Sequence, residues 1–153
     1  MQPLDSRPTQ LLVVDHDGPS SAALCDTLAS LGYDLAQATG MEAASARLAG
    51  WHADIVLLHV DQVPTQALAP MICRLRQASG PSWMPVLVLA WHADEQAVAQ
   101  ALHSGADDVL LLPIGPVLLD ARLTRWAQTL HRQLSMARLV QRQRDIQDNI
   151  LDS

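Results

Sequence analysis

Short apolar runs alternate with longer segments of helical period along this chain. Gln10-Leu-Leu-Val-Val-Asp15 is continuously aliphatic before it ends in an acid, the pattern of a strand covered on both faces. Asp54-Ile-Val-Leu-Leu-His59, Pro85-Val-Leu-Val-Leu-Ala90 and Asp108-Val-Leu-Leu-Leu112 repeat that pattern, and Asp34-Leu-Ala-Gln-Ala38 is a weaker version of it. Between them the apolar spacing predicts helices over 20–31, 41–48, 67–77 and 94–103, with Gly32, Gly50 and Gly105 as stops. From Val117 to the end no residue breaks the chain, which predicts one long helix. Five strand-then-helix units predict an α/β fold, a doubly wound parallel sheet with helices on both faces. Ligands of such sheets sit at the carboxyl ends of the strands. The residues to inspect are therefore Asp15, His16, Asp17, His59, Asp61, Ala90, His92 and Leu112.

The length of 153 residues suits one domain with an appendage, and 49% hydrophobic residues exclude a disordered chain. No apolar run approaches the ~20 residues that span a bilayer. The longest, from Val109 to Leu119, is interrupted by Pro113, Gly115 and Pro116. The first ten residues show no apolar segment behind a basic start, so no signal peptide and no membrane partner are expected. Two cysteines, Cys25 and Cys73, are too few for a disulfide scaffold and are expected to be buried and structural. A cytoplasmic location is the expectation.

Every basic residue is arginine, and with no lysine present any chemistry that needs one is excluded. Charge divides the chain. Residues 1–120 carry four Arg against thirteen Asp and Glu, whereas residues 121–153 carry six Arg against three Asp. An acidic body argues against nucleic-acid binding through this domain.

The motifs Leu11-Leu-Val-Val-Asp15, Asp54-Ile-Val-Leu-Leu-His59, Pro85-Val-Leu-Val-Leu-Ala90 and Gly105-Ala-Asp-Asp-Val-Leu-Leu-Leu-Pro113 occur in one order and at one spacing. In that arrangement the chain resembles the receiver (CheY-like) domain of bacterial response regulators, over residues 9–132. The resemblance implies a flavodoxin-like five-stranded sheet in the order 2-1-3-4-5, here with an extended C-terminal helix. It also implies a phosphoacceptor aspartate at the end of the third strand, two acids after the first strand that hold Mg²⁺, and a hydroxyl and a lysine that bind the phosphoryl oxygens.

Carried onto this sequence, most of that machinery is replaced. Asp15 keeps the first acid, but the second falls on His16. The phosphoacceptor position holds His59, the hydroxyl position Ala90, the lysine position Leu112, and the aromatic position Val109. Histidine cannot form the acyl phosphate. One carboxylate beside an imidazole is a poor Mg²⁺ site, because that ion prefers oxygen ligands. Asp61 completes a degenerate acidic pocket with Asp15 and His16, but in the family its position lends a backbone carbonyl rather than an acceptor. Pro64 lies one residue later than the family pattern. No catalytic residue and no cofactor are expected, and the chain is read as a non-enzyme. Asp15, His16, His59 and His92 are ligand types that suit zinc better than magnesium. Histidines also fill a polar pocket without binding anything, and no metal is expected there. Leu112-Pro113 matches a step that is usually cis in the family. Trp91 stands at the pocket rim, Trp126 should pack on the body, and tryptophan in general should serve as bulk filler in a chain without Phe.

The final helix runs past the point where the family's helix ends. Leu119, Leu123, Trp126 and Leu130 form a face for the sheet. Met136, Leu139, Gln143, Ile146 and Ile150 then recur at spacings of three and four, about two heptads with a polar centre. This predicts a parallel two-stranded coiled coil over a linker at 133–153, the start of a longer protein. Asp107, Asp108, Arg122 and Arg125 resemble a pattern by which some receivers pair. The resulting expectation is a phosphorylation-independent pseudo-receiver of two-component, phosphorelay-type signalling: a homodimeric interaction module for a C-terminal output domain whose identity the sequence leaves open. The alternative is a domain that senses a ligand or transition metal through the histidine-containing pocket.

Overall fold

The computed structural model describes residues 7–15, 21–62 and 66–152. His16, Asp17 and Pro64 lie outside the described residues, so the expectations placed on them are not addressed by the structure. The elements run β1 (Gln10–Asp15), α1 (Ala22–Ser30), β2 (Asp34–Thr39), α2 (Met41–Gly50), β3 (Ile55–Gln62), α3 (Leu68–Ser79), β4 (Val86–His92), α4 (Glu95–His103), β5 (Asp108–Leu111) and α5 (Pro116–Asp152). All neighbouring strands pair in parallel, in the order β2-β1-β3-β4-β5. This is the doubly wound, flavodoxin-like sheet that the alternation of runs and the resemblance both called for.

Strand alternation divides the core into two layers. Leu11, Val13, Ile55, Leu57, Leu87 and Leu89 pack against Cys25 and Leu28 of α1 and Leu119 and Leu123 of α5. Leu12, Val14, Val56, Leu58, Val86 and Val88 pack on the other side, against α2, α3 and α4. Burying an aliphatic side chain of this size contributes about 1.5–3 kcal/mol, so the continuous strand runs carry most of the fold's driving force. Asp94 caps α4 by accepting a hydrogen bond from the Ala97 amide at 2.8 Å. Gly105 ends the turn after α4 at φ +110°, where a side chain would be strained.

Two strands run beyond the sequence reading by more than one residue. β3 continues three residues past His59, and β4 continues two past Ala90. Each extension supports the other, since Val60 pairs with Ala90 and Gln62 with His92. His59 is therefore held within a strand rather than at its tip, and Asp61 is an exposed strand residue.

The expectation of two buried cysteines also needs correction. Cys25 is buried, whereas Cys73 is exposed. The buried stripe of α3 is Leu68, Met71, Ile72 and Leu75, and Cys73 falls off its spacing. Nor is tryptophan uniformly filler, because Trp91 at the end of β4 is 46% exposed. Trp126 does pack on the body: its ring lies 6.3 Å from that of Trp83, and its Nε1 donates to Asp108 at 3.2 Å. The Leu112–Pro113 bond is cis, as the resemblance implied.

Candidate functional site

Asp15 ends β1, and the parallel register sets it directly beside His59 of β3. Both side chains point to the face of the sheet covered by α1 and α5, because they continue the alternation of Leu11 and Val13 and of Ile55 and Leu57. His59 Nδ1 lies 3.0 Å from Asp15 Oδ1. The other carboxylate oxygen, Oδ2, accepts a hydrogen bond from the Ser21 hydroxyl at 2.7 Å. All three residues are buried, His59 to 3% exposure. A carboxylate accepts but does not donate, so the ring nitrogen facing it carries the proton. Burial demands such partners, since an unsatisfied carboxylate in the core would be costly.

Ser21 was not foreseen as a site residue. It stands at the N-cap of α1, yet its side chain makes no capping bond to that helix. Its hydroxyl is committed to Asp15 instead. In the sequence Ser21 falls within the helix expected over 20–31, where nothing marks it as a partner of the β1 acid.

The remaining predicted positions add no phosphate-binding groups to this pair. Ala90 is fully buried in the layer shared with α2, α3 and α4. Leu112 packs against the opposite layer, and its amide donates to the Ala90 carbonyl at 2.9 Å. Val109 is partly buried beside the α2–α4 layer. His92 alternates onto the face of β4 opposite to Leu89, the neighbour of His59, so the structure does not bring it to the pair. Among the described residues no group of three or more His, Cys, Asp or Glu side chains is placed to hold a metal.

The acid–arginine set has a different arrangement. Asp107 is paired within the chain: it accepts from Arg76 Nη2 at 2.9 Å and from the Val86 amide at 2.8 Å. Asp108 meets Arg122 at 3.4 Å as well as Trp126. Arg125 is exposed on α5. Farther along that helix, Met136, Leu139, Ile146 and Ile150 are all more than half exposed, and Gln143 is exposed between them. No helix among the described residues is long and apolar enough to cross a membrane.

A five-stranded sheet in the order 2-1-3-4-5, with an acid at the end of its first strand beside the third strand, matches the arrangement that the resemblance to receivers implies. Comparison with known proteins agrees. The chain is 27% identical over 113 residues to the phosphate regulon transcriptional regulatory protein PhoB of Pseudomonas aeruginosa, a match covering 74% of this chain and 49% of that protein. It is 29% identical over 120 residues to the DNA-binding response regulator MtrA of Mycobacterium tuberculosis, covering 78% and 51%. The chain thus spans about half the length of the curated relatives it matches. Among solved structures it resembles the N-terminal domain of a response regulator/sensory box/GGDEF three-domain protein from Carboxydothermus hydrogenoformans, with TM-score 0.66, 19% identity and coverage of 82% of this chain and 99% of that one. No protein-family model matches the chain. Fold and sequence similarity together support a receiver domain of the CheY-like type.

Proposed function

We propose that this receiver domain works without phosphotransfer, as a dimerising, non-enzymatic input module for an output domain in two-component-type signalling. The observation that carries the reading is the buried contact between His59 and Asp15. The position that would accept the phosphoryl group holds an imidazole, and the acid that would face the metal has both oxygens occupied by protein donors. Ala90 and Leu112 offer no side-chain donor to a phosphoryl oxygen. What is retained is the two-layer sheet and α5, which extends about 20 residues beyond the buried Leu130 with an apolar seam facing solvent. Such a seam supports pairing with a second copy, and a helix leaving the body supports a link to a following domain.

The test is to incubate the chain with Mg²⁺ and acetyl phosphate and measure its intact mass. No adduct is expected under conditions that fully phosphorylate a conventional receiver. A stoichiometric phosphoryl adduct would refute the reading.

A further inference from the structure

Where α5 overshoots the sheet, it forms one wall of a groove of about 860 Å³ at the amino ends of the strands, opposite the Asp15–His59 end. The other wall is the start of β1, the turn before β2 and the start of β3, which bring in Arg7, Tyr33 and Asp54. From α5 come Asp120, His131, Arg132 and Arg138. The two acids are already engaged. Asp120 accepts from the Tyr33 hydroxyl at 2.6 Å. Asp54 accepts from the Gln10 amide at 2.8 Å and lies 2.9 Å from His52 Nε2. The arginines are not matched in the same way. Arg7 reaches Asp54 only at 3.9 Å, and among the described residues Arg132 and Arg138 have no ion-pair partner.

From these observations we infer that the groove binds a phosphate-bearing small molecule of nucleotide size. Arginines line both walls, Arg7 one and Arg132 and Arg138 the other, and a guanidinium suits bidentate pairing with phosphate oxygens. Leu31, Tyr33, Leu130 and Leu134 supply an apolar and aromatic surface for the rest of the molecule. At 3.6 residues per turn, Ala127, Leu130, Leu134 and Arg138 lie on roughly the opposite side of α5 from the seam of Met136, Leu139 and Ile146. Arg132 lies on the seam side instead, so the part of the groove at Arg138 stays open if the seam is covered by a second copy, whereas Arg132 would border that pairing. A bound molecule would tie the emerging helix to the body and fix the angle at which it leaves.

The test is calorimetric titration of the whole chain with pyrophosphate and, separately, with ATP, in magnesium-free buffer at physiological ionic strength. Saturable binding of one molecule per chain is expected. Arg132→Ala and Arg138→Ala should each weaken it roughly tenfold, the scale of one lost charge-assisted contact. Both residues are exposed on the helix beyond the sheet, so the fold should survive. Arg142→Ala and Arg144→Ala, exposed on the same helix but outside the groove, should leave binding unchanged. Tighter binding of ATP than of pyrophosphate would support use of the apolar wall, and equal binding would support a phosphate site alone. The inference is overturned if neither titrant binds saturably, or if all four variants weaken binding equally.

Discussion

His59 Nδ1 lies 3.0 Å from Asp15 Oδ1 inside the protein, where the resemblance to receivers implies carboxylates that face a metal ion. The His59 ring satisfies Asp15 from within the chain. The pair thus joins β1 to β3 at their carboxyl ends, and Ser21 joins α1 to the same carboxylate.

Removing that donor should cost stability. His59→Ala leaves a buried carboxylate with one donor fewer, and a loss of about 1–3 kcal/mol is expected from urea denaturation at neutral pH. His59→Asp should cost more, because two carboxylates would then share the buried space. His59→Asp should also fail to yield a phosphoryl adduct with acetyl phosphate, since Ala90 and Leu112 remain.

Arg76 holds together three segments that the sheet alone does not. From α3 its Nη1 donates to the Met84 carbonyl at 3.1 Å, and its Nη2 donates to the Gly105 carbonyl and the Asp107 carboxylate at 2.6 and 2.9 Å. It thereby ties the loops before β4 and β5 to α3. Arg76→Ala should lower stability by about 1–2 kcal/mol, less than a fully buried pair because the guanidinium is partly solvated. Arg76→Lys should recover only part of that, since an ammonium lacks the planar fork. Thermal unfolding of the three proteins checks both statements.

Tyr33, the only tyrosine in the chain, fastens the start of β2 to α5 through Asp120. Burial pushes its phenol up to about 12, and the Asp120 carboxylate reinforces this by accepting the proton and repelling the phenolate. A raised phenol favours the protonated folded form. Its contribution to stability is fully present below the unfolded value near 10 and is lost as pH rises through about 12. A spectrophotometric titration should show phenolate absorbance appearing well above the ordinary range. Tyr33→Phe should remove that part of the pH dependence, and a midpoint near 10 in the folded protein would contradict the assignment.

How much of this was legible in the residues depends on the range of the interaction. The strand runs were readable because hydrophobic period encodes them locally, whereas the order of the sheet, and with it Asp15 beside His59, came only from the resemblance to receivers. The strand ends were not readable. The extension of β3 beyond His59 depends on pairing with β4, which a single segment does not reveal. Ser21 was missed because it was read inside the first turn of a helix starting at residue 20, while its real partner lies on another element. Asp107 was read as part of a pattern for pairing between copies, whereas Arg76, from a distant part of its own chain, engages it. The groove at the amino ends was invisible for the same reason, as its two walls come from opposite ends of the sequence.

The seam on α5 leads to the last expectation. Its residues lie beyond the body and face solvent, Ile150 at 67% exposure, so substituting them should leave the receiver fold unaltered. In a parallel pair, Met136, Leu139, Ile146 and Ile150 would meet their counterparts, and Gln143 would face its own copy and fix the register. Light scattering of the whole chain should then give twice the 16.6 kDa protomer mass at high concentration. Ile146→Asp with Ile150→Asp should return it to the protomer mass, because two like charges per chain would be brought together in the seam. Arg122→Ala should not do so, since Arg122 already meets Asp108 within its own chain. Circular dichroism should show an unchanged body in both variants. A double variant that remains dimeric would move the interface from the helix to the globular face, and a wild-type chain that stays monomeric would leave the seam without the partner proposed for it.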